Sequence, residues 1–191
     1  MITPYYNKPT QEGLYRHFKA VCDAVDIPLM LYNVPSRTSV NLLAETAIRL
    51  ADLDHVVAIK EASLNLNQVS ELLRGSDLEV LAGDDAYTLP IMSMGGVGCV
   101  SVVGNIVPKE MLALVNAVQD GNLTEARKLH KRLYPLFKAS FLETNPIPVK
   151  TAMQILGRGN GEMRLPLCPM SDSGLQKLKS VLTQFGMTDA T

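Results

Sequence analysis

Four short apolar runs punctuate the first half of the chain: PLMLYNV (28–34), HVVAIKEA (55–62), LEVLAGDD (78–85) and GCVSVV (98–103). None alternates strictly between apolar and polar residues. Continuous runs of this length are the pattern of strands buried on both faces, as in a parallel sheet. Around and between them, apolar positions recur at helical spacing, as in Leu42, Ala47 and Leu50 or Val69, Leu72 and Leu73. This predicts helices over 11–25, 42–51, 67–74 and 88–94. Asn41 and Asn67 are expected N-caps, and Asp85 is expected to cap the helix after the third strand. Strand and helix alternating at this pitch means βα units joined by short loops. The opening ITPYYN reads as the polar end of one more such strand.

The pattern changes after Asn105. A helix over 108–119 begins with Pro108 in its first turn and stops before Asp120-Gly121, the usual order of these punctuating residues. An amphipathic helix over 123–142 is expected to kink or break at Pro135. Segments 146–156 and 174–185 complete a tail without strand signal. At about 150 residues per domain, the chain length fits one domain with a helical extension.

Composition narrows the function. Of 191 residues 47% are hydrophobic and 19% charged, and 18 Lys and Arg against 19 Asp and Glu leave a net charge of −1. That balance excludes a disordered chain. It also removes the basic excess that nucleic-acid binding requires. With the charged fraction below the usual ~25% and a mean hydropathy of +0.10, the chain needs a large core, a large interface, or both. Cys22, Cys99 and Cys168 form no C-x-x-C pair, which excludes a disulfide framework and a cysteine zinc site and suggests a reducing compartment. The N-terminal stretch has no signal-like apolar region, and no segment nears the ~18 apolar residues of a membrane span. The expectation is a cytoplasmic chain that binds neither membrane nor nucleic acid. His17, His55 and His130 stand apart from one another, so no metal is assigned.

Lys60 is the first candidate for chemistry. An amine held among Val, Ile and Ala is poorly solvated, and in its neutral form it can attack a ketone to give a Schiff base. The competing reading is a strand-end lysine that snorkels to solvent or pairs with Glu61. Tyr32 and Arg37, in LYNVPSRT, are the second candidate. Tyr32 ends its strand, Pro35 stiffens the turn, and the planar guanidinium of Arg37 suits a substrate carboxylate. A packed Tyr and an exposed Arg are the plain alternative. Position favours the chemical reading, because Tyr32, Lys60, Gly83 and Val100 all fall near strand C-terminal ends, where α/β barrels place their active sites. Asp84 and Asp85 point to opposite sides of a strand and are read as strand-end caps rather than metal ligands. Gly95-Gly96-Val97-Gly98 precedes a strand instead of following one, so it is read as a tight helix-to-strand turn rather than a phosphate loop.

Six motifs together, TPYYNKP (3–9), LYNVPSRT (31–38), VAIKEAS (57–63), LAGDD (81–85), GVGCVSV (96–102) and NPIPVK (145–150), closely resemble the dihydrodipicolinate synthase family. The resemblance runs from residue 2 nearly to the C-terminus and includes the Tyr-to-Lys separation, 60 − 32 = 28 positions. It implies a class I, Schiff-base-forming lyase on a TIM (β/α)8 barrel. Lys60 would form the imine with pyruvate, and Tyr32 would donate and accept protons. Tyr6 would join the proton relay by reaching into a neighbouring subunit's site. Arg37 would hold the carboxylate of aspartate semialdehyde, and Gly83 and Val100 would supply backbone groups around the keto acid. The product would be 4-hydroxy-tetrahydrodipicolinate, on the route to lysine and diaminopimelate. The imine itself is the electron sink, so no metal or cofactor is called for. Related sialic-acid lyases and sugar-acid aldolases lack an Arg at the position of Arg37, which favours the synthase among these pyruvate enzymes.

Against the ~250 residues of a whole eight-stranded barrel, the resemblance leaves the first three strands and most of the fourth without a counterpart. The expected fold is therefore a partial barrel of about strands 4–8 over residues 1–107, followed by the last barrel helix and a C-terminal helical extension over 108–191. The family's Thr-Thr pair is among the parts without a match. Four barrel strands expose two unpaired edges, so the expected partners are a complementing N-terminal segment or further copies in a homo-oligomer. A non-catalytic folded remnant or interaction module is the alternative of a different class.

Overall fold

The computed structural model describes residues 1–188 and divides at Val100/Ser101 into two compact units. In the first unit, α1 (Gln11–Ala24) precedes β1 (Leu29–Asn33), the one-turn α2 (Pro35–Thr38) and α3 (Ala44–Ala51). Then come β2 (Val56–Glu61), α4 (Leu66–Gly75), β3 (Glu79–Ala82), α5 (Thr88–Ser93) and β4 (Gly98–Cys99). The four strands form a parallel sheet in the order β1-β2-β3-β4, and Ile2 bridges Tyr32 in parallel at the β1 edge. This is the βα repeat of a TIM-barrel wall.

One face of the sheet is packed shut. Leu31, Ile59 and Val80 are fully buried there against Leu14 and Phe18 of α1, Leu50 of α3 and Val69 and Leu72 of α4. The opposite face carries Met30, Tyr32, Lys60 and Leu81, all half-buried. Burial on both faces was expected from the continuous apolar runs and is not what the unit shows. The runs look continuous because the second face keeps apolar residues, such as Met30 and Leu81, between the polar ones at the strand ends.

The fourth strand is also shorter than expected. After one further ladder bond, from Val100 N–H to Ala82 O (2.9 Å), the Ser101 hydroxyl accepts from Gly104 N–H at 2.7 Å and turns the chain into a 3-10 turn at Val103–Asn105. The glycines before it make the helix-to-strand turn as expected. Gly95 sits at φ +115°, and a Cβ on Gly96 would lie 2.6 Å from Ile91 Cγ2.

Three expected caps move. Asn41 does not cap a helix, since α3 starts at Ala44 with Leu43 at the N-cap and no side-chain cap, and the Asn41 amide is engaged elsewhere. α4 is capped by Asn65, which accepts from the N–H groups of Asn67 and Gln68, not by Asn67. Similarly, Asp84 rather than Asp85 caps the 3-10 turn Asp85–Tyr87, and Asp85 is buried.

The second unit is helical: α6 (Pro108–Gln119), α7 (Leu123–Ala139), α8 (Ile147–Ile155) and α9 (Asp172–Gln184). α7 runs through Pro135 as a single helix, so the expected break does not occur. α6 packs on α7, and α9 on α7 and α8, around Leu114, Leu133, Leu136, Leu178 and Leu182. No helix among the described residues is long and apolar enough to cross a membrane.

The relocated cap has a measurable consequence. Asn65→Ala is expected to lower stability in urea denaturation by about 1 kcal/mol, whereas Asn67→Ala, on the exposed side of the first turn, is expected to change it by less than about 0.5 kcal/mol.

Candidate active site

Strand register builds the site. In the β1–β2 pair, Tyr32 lies opposite Lys60 and Asn33 opposite Glu61. Successive strand residues point to opposite faces, so Tyr32 and Lys60 share the half-buried face while Asn33 and Glu61 share the packed one. On the first face the Lys60 ammonium lies over the Tyr32 ring, with Nζ 4.0 Å from the ring centroid, a cation–π geometry. The same geometry disposes of the competing reading in which Lys60 pairs with Glu61, because adjacent residues of one strand point to opposite faces.

The ends of the strands descend in a staircase of main-chain bonds. Ala62 N–H donates to Asn33 O (2.9 Å), Gly83 N–H to Glu61 O (2.8 Å) and Val100 N–H to Ala82 O (2.9 Å). Gly83 and Val100 thus stand where the sequence placed them, one step beyond β3 and β4. Their N–H groups are committed to the ladder, so neither is available to a ligand oxyanion. Gly83 has a steric reason to be glycine: a Cβ there would come 2.7 Å from Ala62 Cβ and 3.1 Å from Lys60 Cγ. The bare backbone avoids the clash with Ala62 and leaves the lysine stem uncrowded.

Arg37 is exposed on α2. Pro35 opens that turn, Arg37 N–H donates to Val34 O at 2.9 Å, and Ser39 closes it at φ 60°. A helical turn held at both ends presents Arg37 shortly beyond β1. Tyr6 is 90% exposed, on a loop where both Tyr6 (φ 71°) and Lys8 (φ 46°) adopt left-handed backbone. The segment before it is anchored to β1 by Tyr32 N–H to Met1 O (2.8 Å) and Thr3 N–H to Tyr32 O (3.2 Å). Beside Val100, burial pushes the Cys99 thiol up from its ordinary value and keeps it protonated.

Beneath the Tyr32–Lys60 pair lies a polar cluster that sequence reasoning missed. Glu61 is 2% exposed, and its carboxylate accepts from Asn33 Nδ2 (3.1 Å), Gln68 Nε2 (3.0 Å) and Ser63 N–H (2.6 Å). Asn33 Nδ2 also donates to Asn41 Oδ1 (2.8 Å), Asn33 Oδ1 accepts from Leu42 N–H (3.0 Å), and Asn41 Nδ2 donates to Gln68 Oε1 (2.8 Å). The available signal was a polar residue immediately after each motif residue, Asn33 after Tyr32 and Glu61 after Lys60, inside strands that are otherwise apolar. These polar residues had to find partners on the buried face.

Comparison with known proteins identifies the family. A family model described as the Dihydrodipicolinate synthetase family matches residues 1–185. The chain is 54% identical over 189 residues to a 4-hydroxy-tetrahydrodipicolinate synthase of Thermodesulfovibrio yellowstonii, covering 98% of this chain and 65% of that protein. It is 53% identical over 187 residues to the one of Methanocaldococcus jannaschii, covering 97% and 65%. The crystal structure of dihydrodipicolinate synthase from Aquifex aeolicus superposes with a TM-score of 0.96 at 46% identity, over 97% of this chain and 64% of that one. The chain therefore spans about 65% of the length of the curated relatives it matches. With the family model spanning almost all of its residues and the strand-end Tyr–Lys pair in place, the chain belongs to the Dihydrodipicolinate synthetase family.

Proposed function

We propose that this chain carries the reaction centre of a 4-hydroxy-tetrahydrodipicolinate synthase, a lyase that condenses pyruvate with L-aspartate 4-semialdehyde through an imine on Lys60. The observation that supports it best is the cross-strand Tyr32–Lys60 pair, with Nζ 4.0 Å from the ring centroid at the C-terminal end of a parallel sheet. There an amine can attack a substrate carbonyl with a phenol beside it to move protons.

The neutral Lys60 amine adds to C2 of pyruvate, and the resulting carbinolamine takes up one proton and loses water to leave a protonated imine. That cation draws electrons from C3, which gives up a proton to become an enamine. No metal or other cofactor is needed, because the imine nitrogen accepts the electron pair. The enamine carbon attacks the aldehyde of the semialdehyde, forming the C–C bond, and the aldehyde oxygen takes up a proton. The semialdehyde's own amine then adds to C2 and displaces Lys60, closing the ring and freeing the enzyme. Tyr32 is the phenol beside Lys60 that serves these proton transfers. Arg37 supplies a guanidinium for the semialdehyde carboxylate, while Gly83 leaves room for the Lys60 stem.

Exposed Tyr6 and Tyr5, at 90% and 68%, fit an aromatic contact offered to a second copy in a homo-oligomer, through which Tyr6 would join the neighbour's proton relay.

Two outcomes follow. Incubation with pyruvate and borohydride is expected to add one reduced pyruvate to the chain, mapped by peptide mass spectrometry to Lys60 and lost in Lys60→Ala. A missing adduct, or one on another lysine, overturns the assignment. Arg37→Ala is expected to leave that adduct intact while cutting semialdehyde consumption by about tenfold or more, as loss of a charge-assisted bond of about 1.5–3 kcal/mol dictates. Unchanged condensation would remove Arg37 from the site.

A further inference from the structure

The buried carboxylate of Glu61 has no place in the reaction just described, yet it sits one residue from Lys60. It bonds to the residue that follows Tyr32. Its donors are the neutral amides of Asn33 and Gln68 and the main-chain N–H of Ser63. We propose that Glu61 is a positioning residue: its bond to Asn33 locks the β1–β2 register on the packed face and thereby holds Lys60 against Tyr32 on the other.

The two pairs are neighbours on the same two strands, Tyr32↔Lys60 and Asn33↔Glu61. A slip of one residue would turn each side chain to the opposite face. Apolar packing of Leu31 and Ile59 specifies which face is buried, but β1 is only five residues long and its register already shifts once, between Leu29 and Met30 at its start, so the C-terminal end relies on its own cross-strand bonds. The polar bond resists it strongly. Asn33 Nδ2 has an acceptor in Glu61 and Asn33 Oδ1 a donor in Leu42 N–H, so any displacement of β1 against β2 breaks bonds in a buried site. Gln68 and Ser63 hold the carboxylate from the α4 side, so Glu61 is itself fixed before it fixes Asn33. The geometry needs an acceptor at position 61 facing a donor at position 33. It does not need the charge to reach Lys60.

This inference rests on the reading of Lys60 as the imine-forming lysine, and the test separates the two. Imine formation on the full chain is followed by timed borohydride quenching at a series of pyruvate concentrations. In Glu61→Gln the new amide turns N–H groups toward those of Asn33 and Gln68. The limiting rate is expected to fall about tenfold to a hundredfold, as misplacement of a reacting group by a fraction of an ångström does, while half-saturating pyruvate stays within about twofold of its value in the unaltered chain. The double variant Asn33→Asp, Glu61→Gln exchanges donor and acceptor: the carboxylate introduced at position 33 accepts from the amide introduced at position 61 and keeps the bond from Leu42 N–H, while the side-chain amides of Asn41 and Gln68 turn over so that Asn41 donates to position 33 and Gln68 accepts from position 61. It is expected to recover the rate to within about threefold, which a general loss of folding would not do. If Glu61→Gln does not fold, Asn33→Ser, which removes the bond but leaves Glu61 with Gln68 and Ser63, is expected to show the same fall. An unaltered rate in whichever single variant folds, or a fall that the exchange does not reverse, overturns the positioning role while leaving Lys60 as the nucleophile. Failure of the unaltered chain to trap pyruvate overturns the reading of the site, and this inference with it.

Discussion

Parallel pairing of β1 with β2 sets two cross-strand pairs side by side, and the candidate site depends on that register. Tyr32 and Lys60 face the half-buried side, where a substrate can arrive. Asn33 and Glu61 face the packed side, where it cannot. Everything near the site is keyed to those four positions. The Ala62 and Gly83 N–H bonds end on Asn33 and Glu61, Gly83 is bare where the lysine stem crosses, and α2 begins two residues after Asn33. Changing the register would displace all of these together.

The cost of this arrangement lies on the packed face. Burying a carboxylate is unfavourable unless its hydrogen bonds are made. Here the main-chain N–H of Ser63 and two side-chain amides make them, with Asn41 completing the circuit between Asn33 and Gln68. A half-satisfied network of this kind loses about 1–3 kcal/mol for each orphaned group, so it selects one arrangement of strands and loop. An apolar pair would fill the same space with less dependence on register. The polar cluster therefore contributes specificity of alignment, and the surrounding leucines contribute the bulk of the burial.

Much of this was legible in the sequence where a local rule decides the outcome. Continuous apolar runs gave β1 to β3 within a few residues, and α1 and α6 follow helical spacing almost to their ends. Lys60 and Tyr32 could be placed together because strand ends and motif spacing agree. Illegible parts were those settled by partners distant in sequence. Asn41 resembles a helix cap, but Asn33 and Gln68 claim its amide, eight and twenty-seven residues away. Glu61 resembles an ion partner for Lys60 until the pleat sends it to the other face. Pro135 resembles a helix break, yet α7 continues through it between buried Leu133 and Leu136. The β4 run ends early because the Ser101 hydroxyl bonds to Gly104, a side-chain choice that hydrophobicity does not report.

The central claim is that one strand register makes Lys60 and Tyr32 a working pair. A crystal structure of the chain soaked in pyruvate and reduced in place tests it most directly. Continuous density from Lys60 Nζ to C2 of the former pyruvate, with the Tyr32 hydroxyl in hydrogen-bond reach of the adduct and Asn33 still bonded to Glu61, is the expected result. Density on a different lysine, or an adduct on Lys60 with Tyr32 turned away, would contradict it.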